Sequence, residues 1–266
     1  MPRSHGSVAA SARRVCAAKR TSASAVRAKL GCSNGCPGGY ATHVIVPHPK
    51  YLIDYGNTDP ALGAAYMCSG VTAYAAMKKV GPLGPQDQVL VLGVGGVGMM
   101  GVQFAKAMFG KGPLAADIDE GRLEAAKKAG ASATYNTKVD GEAKRLMTET
   151  GGGAYAVVDF VGSEKTFAFA SQTVRRGGKI IIVGLFGGAM QMPLPMFPVP
   201  HDLHRRIDGR IARTIPRRMM ELVRAGKVDP IPYTKRPLSA ANEALTDLVN
   251  GQGDGASDFD AVTAIL

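Results

Sequence analysis

Gln88-Val-Leu-Val-Leu-Gly-Val-Gly-Gly-Val-Gly-Met-Met100 is the stretch that decides the fold. Val89–Leu92 is a short, unbroken apolar run, as expected of a strand buried on both faces. Gly93, Gly95 and Gly98 then form the pattern G-x-G-x-x-G, and Val97 to Met108 reads as a helix. In a chain with 34 glycines the pattern alone is weak evidence. Its position directly after a strand and directly before a helix is what a dinucleotide-binding turn requires. Gly93 permits the tight turn, Gly95 and Gly96 let backbone approach a pyrophosphate, and Gly98 lets the helix pack close to the strand. The unpaired amides of a helix beginning at Val97 would face that anion.

The same alternation continues outward. Leu114–Ile118, Ala154–Phe160 and Lys179–Val183 read as strands, and Glu120–Ala129 and Glu164–Arg175 as helices, with no element assigned between 131 and 153. Apolar strands separated by helices predict an α/β protein with a doubly wound parallel sheet. Upstream, Tyr40–Val46 alternates like a strand ended by Pro47, and residues 60–79 read as helical. Downstream, 186–200 reads as a Gly-, Met- and Pro-rich loop, Met219–Ala225 and Ser239–Val249 as helices, and 251–260 as a loosely ordered tail.

The dinucleotide pattern also calls for an acid at the end of the second strand. Asp117 stands 19 residues after Gly98, where a carboxylate would bind the adenosine ribose and repel a 2′-phosphate, selecting NAD over NADP. Asp119 is its rival on the same face. Arg122 either flanks the ribose or is a solvated helix-face residue.

The 266 residues are 45% hydrophobic and carry a formal charge of +11. That composition excludes a disordered chain, a collagen and, with four cysteines, a disulfide scaffold. No apolar stretch reaches the roughly 20 residues of a membrane span. The charge is localised. Residues 1–53 hold eight Lys or Arg and no acid, residues 201–218 hold six Arg against Asp202 and Asp208, and the remainder nets −1. Residues 1–39 contain no aromatic, which argues against nucleic acid as partner. The first 30 residues have the Ala/Ser/Arg-rich, acid-free composition of a transit peptide or of an unstructured start. Free cysteines without a disulfide framework predict a reducing, cytoplasmic setting.

Several ordered stretches together resemble the zinc-type medium-chain alcohol dehydrogenases. They are Gly38-Gly-Tyr-Ala-Thr-His-Val-Ile-Val-Pro47, Met67-Cys-Ser-Gly-Val-Thr-Ala-Tyr74, Val89 to Gly98, and Ala116-Asp-Ile-Asp119. Glu124 to Ala131, Val158-Asp-Phe-Val-Gly162 and Gly177 to Gly184 continue the series in order. The resemblance implies a Rossmann domain in mid-chain and a GroES-like catalytic domain, here incomplete, built from both ends. It implies NAD, a catalytic zinc that activates a small alcohol or carbonyl substrate, and homo-oligomers. Cys68 matches one zinc ligand, and Val161, Val183, Gly184 and Leu185 match residues lining the dinucleotide cleft.

The resemblance also predicts a division into 1–37 (atypical and basic), 38–80 (catalytic-domain remnant), 81–200 (NAD-binding), 201–218 (atypical and basic) and 219–266 (return to the catalytic side). The first two zinc-ligand motifs expected upstream of residue 38 are absent. Cys16, Cys32 and Cys36 do not make a four-cysteine zinc loop. Residues 201–218 replace the family's strand and helix with Arg-rich sequence, as a reading-frame shift would. Two readings follow: an alcohol dehydrogenase-like enzyme, or an NAD-binding protein without turnover. A zinc-free NADP-using reductase is a third, opposed by Asp117 and Cys68.

Overall fold

The computed structural model describes residues 52–189, 202–204 and 211–250. The expected strand at 40–46, the basic N-terminal segment, Cys16, Cys32, Cys36 and the tail beyond 250 lie outside the described residues.

Six parallel strands form one sheet in the order β3-β2-β1-β4-β5-β6. They are β1 (Val89–Leu92), β2 (Leu114–Asp117), β3 (Ala133–Asn136), β4 (Ala154–Asp159), β5 (Val174–Ile182) and β6 (Asp202–His204). The helices are α1 (Pro60–Ala65), α2 (Val71–Val80), α3 (Gly96–Phe109), α4 (Glu120–Lys128), α5 (Glu142–Glu149), α6 (Glu164–Thr173), α7 (Ile211–Arg224) and α8 (Ala241–Val249).

Side-chain alternation along the strands supplies a core on each face of the sheet. Val89, Val91, Ala156, Val158 and Ile181 pack with Met77, Met100, Phe104, Met219 and Met220. Leu90, Leu92, Val157 and Ile180 pack with Tyr135, Leu146, Phe167 and Ala170 on the other. All four residues of β1 and of β2 are buried, and apart from Asp117 they are apolar, as expected of strands covered on both faces.

The structure departs from the sequence-based expectation in four places. First, β3 and α5 occupy the stretch left unassigned. β3 has one apolar anchor, Tyr135, which is buried while its hydroxyl donates to Glu149 at 2.7 Å. So short an edge strand leaves no apolar run to detect. Second, α6 stops at Thr173 and β5 begins at once at Val174, paired with Ala154. Third, β6 pairs Ile181 with His204, and α7 begins at Ile211, inside the basic segment expected to lack both elements. Ile215, Met219 and Met220 bury one stripe of α7 against α2 while Arg217 and Arg218 face outward, so the arginines mask an amphipathic helix. Fourth, the expected helix over 60–79 is α1 and α2 joined by a π-turn, Tyr66–Gly70.

Candidate dinucleotide-binding site

The C-terminal ends of β1, β2, β4 and β5 converge at the glycine turn. Gly93 has φ +82°, and a Cβ there would stand 2.3 Å from Val161 Cγ2. At Gly98 a Cβ would stand 1.9 Å from the Gly93 carbonyl oxygen, so only glycine lets α3 sit this close to the strand end. Gly95 is different: a Cβ would meet nothing within 4 Å and would project into open space. Gly95 is also the cap of α3, whose first main-chain bond runs from the Met99 N–H to the Gly95 carbonyl at 2.8 Å. The amides of Gly96, Val97 and Gly98 precede that bond and lie at the positive end of the helix dipole.

Asp117 ends β2 and is 5% exposed. Its Oδ2 accepts the Val94 N–H at 2.8 Å, and its Oδ1 accepts those of Ile118 and Asp119 at 2.7 and 3.1 Å. One carboxylate therefore clamps the glycine turn to the next strand. Asp119 is occupied otherwise, capping α4 by accepting the Arg122 N–H at 2.9 Å. Arg122 Nη1 lies 3.9 Å from Asp117 Oδ1, beside the same strand end.

The later strands bring the other expected residues together. A Cβ on Gly184 would stand 2.2 Å from the Val161 carbonyl carbon and oxygen, so the segments 161–162 and 183–184 cross backbone on backbone. Leu185 is 75% exposed at the rim. A cavity of about 330 Å³ opens here, lined by Asp159, Ser163, Glu164, Phe167, Gly184 and Leu185 among others. Asp159 received no role from sequence. It is completely buried, and burial raises its carboxyl above the ordinary range despite three hydrogen bonds to it. Its signal was a lone acid inside the apolar run Ala-Val-Val-Asp-Phe-Val.

Cys68 is exposed on the π-turn, which packs against α3. Its neighbour Tyr66 is fully buried, and burial with Asp229 nearby pushes the phenol up to about 12. Among the described residues no three of His, Cys, Asp or Glu come together as metal ligands. Among the described residues Cys68 therefore stands without the further ligands that a zinc ion requires. The strand ends do fit a dinucleotide: an open glycine turn, free helix-end amides, and an acid at the neighbouring strand end.

Residues 96–225 match the family model described as zinc-binding dehydrogenase. An NAD-dependent alcohol dehydrogenase from Sulfurisphaera tokodaii is 35% identical over 221 residues, which take in 82% of this chain and 63% of that protein. The alcohol dehydrogenase of the hyperthermophilic archaeon Aeropyrum pernix superposes with a TM-score of 0.60 at 30% identity, over 71% of this chain and 54% of that one. An alcohol dehydrogenase from Thermus sp. ATN1 gives 0.65 at 25% identity, over 73% and 58%.

Fold and turn thus define a Rossmann-type dinucleotide-binding domain. Over residues 96–225 the chain resembles the zinc-binding dehydrogenases, and the relatives it matches are alcohol dehydrogenases. It spans 63% of the length of the curated relatives it matches.

Proposed function

We propose that this chain binds NAD across the ends of β2, β1, β4 and β5 and serves as an oxidoreductase interconverting a small alcohol and its aldehyde or ketone. The observation that carries the reading is the clamp between Asp117 and Val94, at 2.8 Å, next to the open face of Gly95. In this reading the pyrophosphate passes over Gly95 and Gly96 toward the amides of Val97 and Gly98. The ribose hydroxyls donate to Asp117, whose negative charge repels a 2′-phosphate. Arg122 flanks the ribose, and Val161, Val183, Gly184 and Leu185 line the nicotinamide end. NAD, when bound, supplies the hydride acceptor.

Residues 81–200 form the cofactor-binding unit of the proposal, with 38–80 and 219–266 on the substrate side, in a cytoplasmic protein that assembles with copies of itself. No described helix is long and apolar enough to cross a membrane.

Titration of the full chain with NADH and NADPH, followed by nicotinamide fluorescence, tests the reading. NADH is expected to bind more tightly, and Asp117→Ala to erase the preference. Absence of binding by either overturns it. Preference for NADPH would revive the reductase reading. Binding without oxidation of any alcohol in a panel, with zinc supplied, would favour a non-catalytic NAD-binding protein.

A further inference from the structure

Asp159 is a carboxylate buried completely within an apolar sheet, and no part of the proposed chemistry uses it. Placing such a group there costs several kcal/mol unless its oxygens are satisfied. Its hydrogen bonds show what that cost secures. Oδ1 accepts the N–H groups of Val161 and Gly162 at 2.9 and 3.0 Å, and Oδ2 accepts the Thr166 hydroxyl at 2.8 Å. The carbonyl of the same residue accepts the N–H groups of Val183 and Gly184 at 2.8 and 3.2 Å. Asp159 thus holds the turn after β4 with its side chain and the turn after β5 with its main chain.

These turns touch directly. Gly162 has φ +71°, and a Cβ on it would stand 2.1 Å from the Gly184 carbonyl oxygen. Beyond the crossing, the Gly187 N–H donates to the Gly162 carbonyl at 3.1 Å. A shift of either turn must therefore move the other. Through the contact of Val161 with Gly93, the crossing also abuts the glycine turn.

We infer that Asp159 is a positioning residue, which sets the crossing of segments 161–162 and 183–184 and so shapes the nicotinamide end of the cleft without touching the cofactor. The inference rests on the NAD-binding reading and deepens it. The two ends of the cleft then have separate supports: Asp117 for the adenosine end and Asp159 for the nicotinamide end.

The test compares NADH with ADP-ribose, which lacks only the nicotinamide ring, binding to the full chain. Asp159→Ala is expected to weaken NADH about tenfold, the loss expected when buried donors lose their acceptor, while ADP-ribose affinity stays within about twofold. Asp159→Asn, whose amide oxygen can still accept both N–H groups, is expected to restore most of the NADH affinity. Thermal unfolding of each variant reports whether it is folded. If Asp159→Ala does not fold, Thr166→Val carries the same test, with NADH alone weakened about threefold and Thr166→Ser restoring it.

Equal losses for NADH and ADP-ribose, or no loss for either, would overturn the inference and leave the cofactor reading standing. So would a wild-type chain that binds both ligands equally well. A wild-type chain that binds neither would overturn both.

Discussion

The ends of β2 and β4 solve one problem in two ways. Each carries a buried aspartate that accepts backbone N–H groups from a turn, and each turn borders the proposed cofactor cleft. At β2 the acid reaches across to another strand, taking the Val94 N–H 23 residues away in sequence, with the guanidinium of Arg122 at 3.9 Å. At β4 the side chain bonds only within its own turn and helix start, to Val161, Gly162 and Thr166, all neutral donors. The first arrangement leaves a partly charge-compensated carboxylate at the cleft. The second leaves a carboxylate sealed in the sheet, where burial dominates and its pKa rises. Two acids in equivalent positions thus differ: one lies at the proposed cleft beside Arg122, and the other is held by the backbone and hydroxyl of its own turn.

The largest losses are expected where the packing beneath either turn is disturbed. Gly98→Ala and Gly184→Ala each place a Cβ within 2.2 Å of backbone atoms and are expected to cost about 3 kcal/mol or more, read by urea unfolding. Gly95→Ala meets no atom within 4 Å, so stability should change by less than about 1 kcal/mol. NADH affinity should nevertheless fall, because the new methyl occupies the space assigned to pyrophosphate.

Removing the two carboxylates separates their roles. Asp159→Ala leaves the amides of Val161 and Gly162 without their acceptor and should cost about 2 to 3 kcal/mol in the same unfolding assay. Asp117→Ala, nearer the surface, should cost about 1 to 2 kcal/mol and act mainly on nucleotide binding. Equal stability losses with unchanged binding would erase the distinction between them.

Proton linkage sharpens the contrast. The folded-state pKa of Asp159 lies above its ordinary value of 3.8, so between those values the folded chain binds more protons than the unfolded one. Its contribution to stability is therefore fully present below 3.8 and is lost as pH rises through the folded value. Urea midpoints measured across the acid range should lose that component in Asp159→Asn. The smallest effect belongs to Arg122→Ala. Its contact with Asp117 is long, at 3.9 Å, so NADH affinity should fall only a few-fold.

The two strand ends also differed in how legible they were. Asp117 could be found because a glycine pattern and a fixed spacing point to it. Asp159 could not, since an acid in an apolar run is equally compatible with a strand end open to water. Only the register that pairs it with Leu92, inside a covered sheet, makes it buried. β3 and the start of α7 escaped for related reasons. A four-residue edge strand with one apolar anchor lacks a readable period, and Pro216 with the surrounding arginines obscured the stripe of Ile215 and Met219. Asp117 and Asp119 share a face, and the strand end already favoured Asp117; the hydrogen bonds take Asp117 to the glycine turn and Asp119 to the cap of α4.

Sequence by itself determined the parallel α/β architecture, the glycine turn and the acid that accompanies it, because these are local features. Apolar runs, a residue without a Cβ and a strand-to-helix spacing carry their meaning within a few residues. Tertiary structure alone decided how the far end of the proposed cleft is held together. The crossing of 161–162 with 183–184, the burial of Asp159 and the exposure of Cys68 depend on strand order and backbone contact. Strand order joins residues distant in the chain, and no local pattern records which of them will touch.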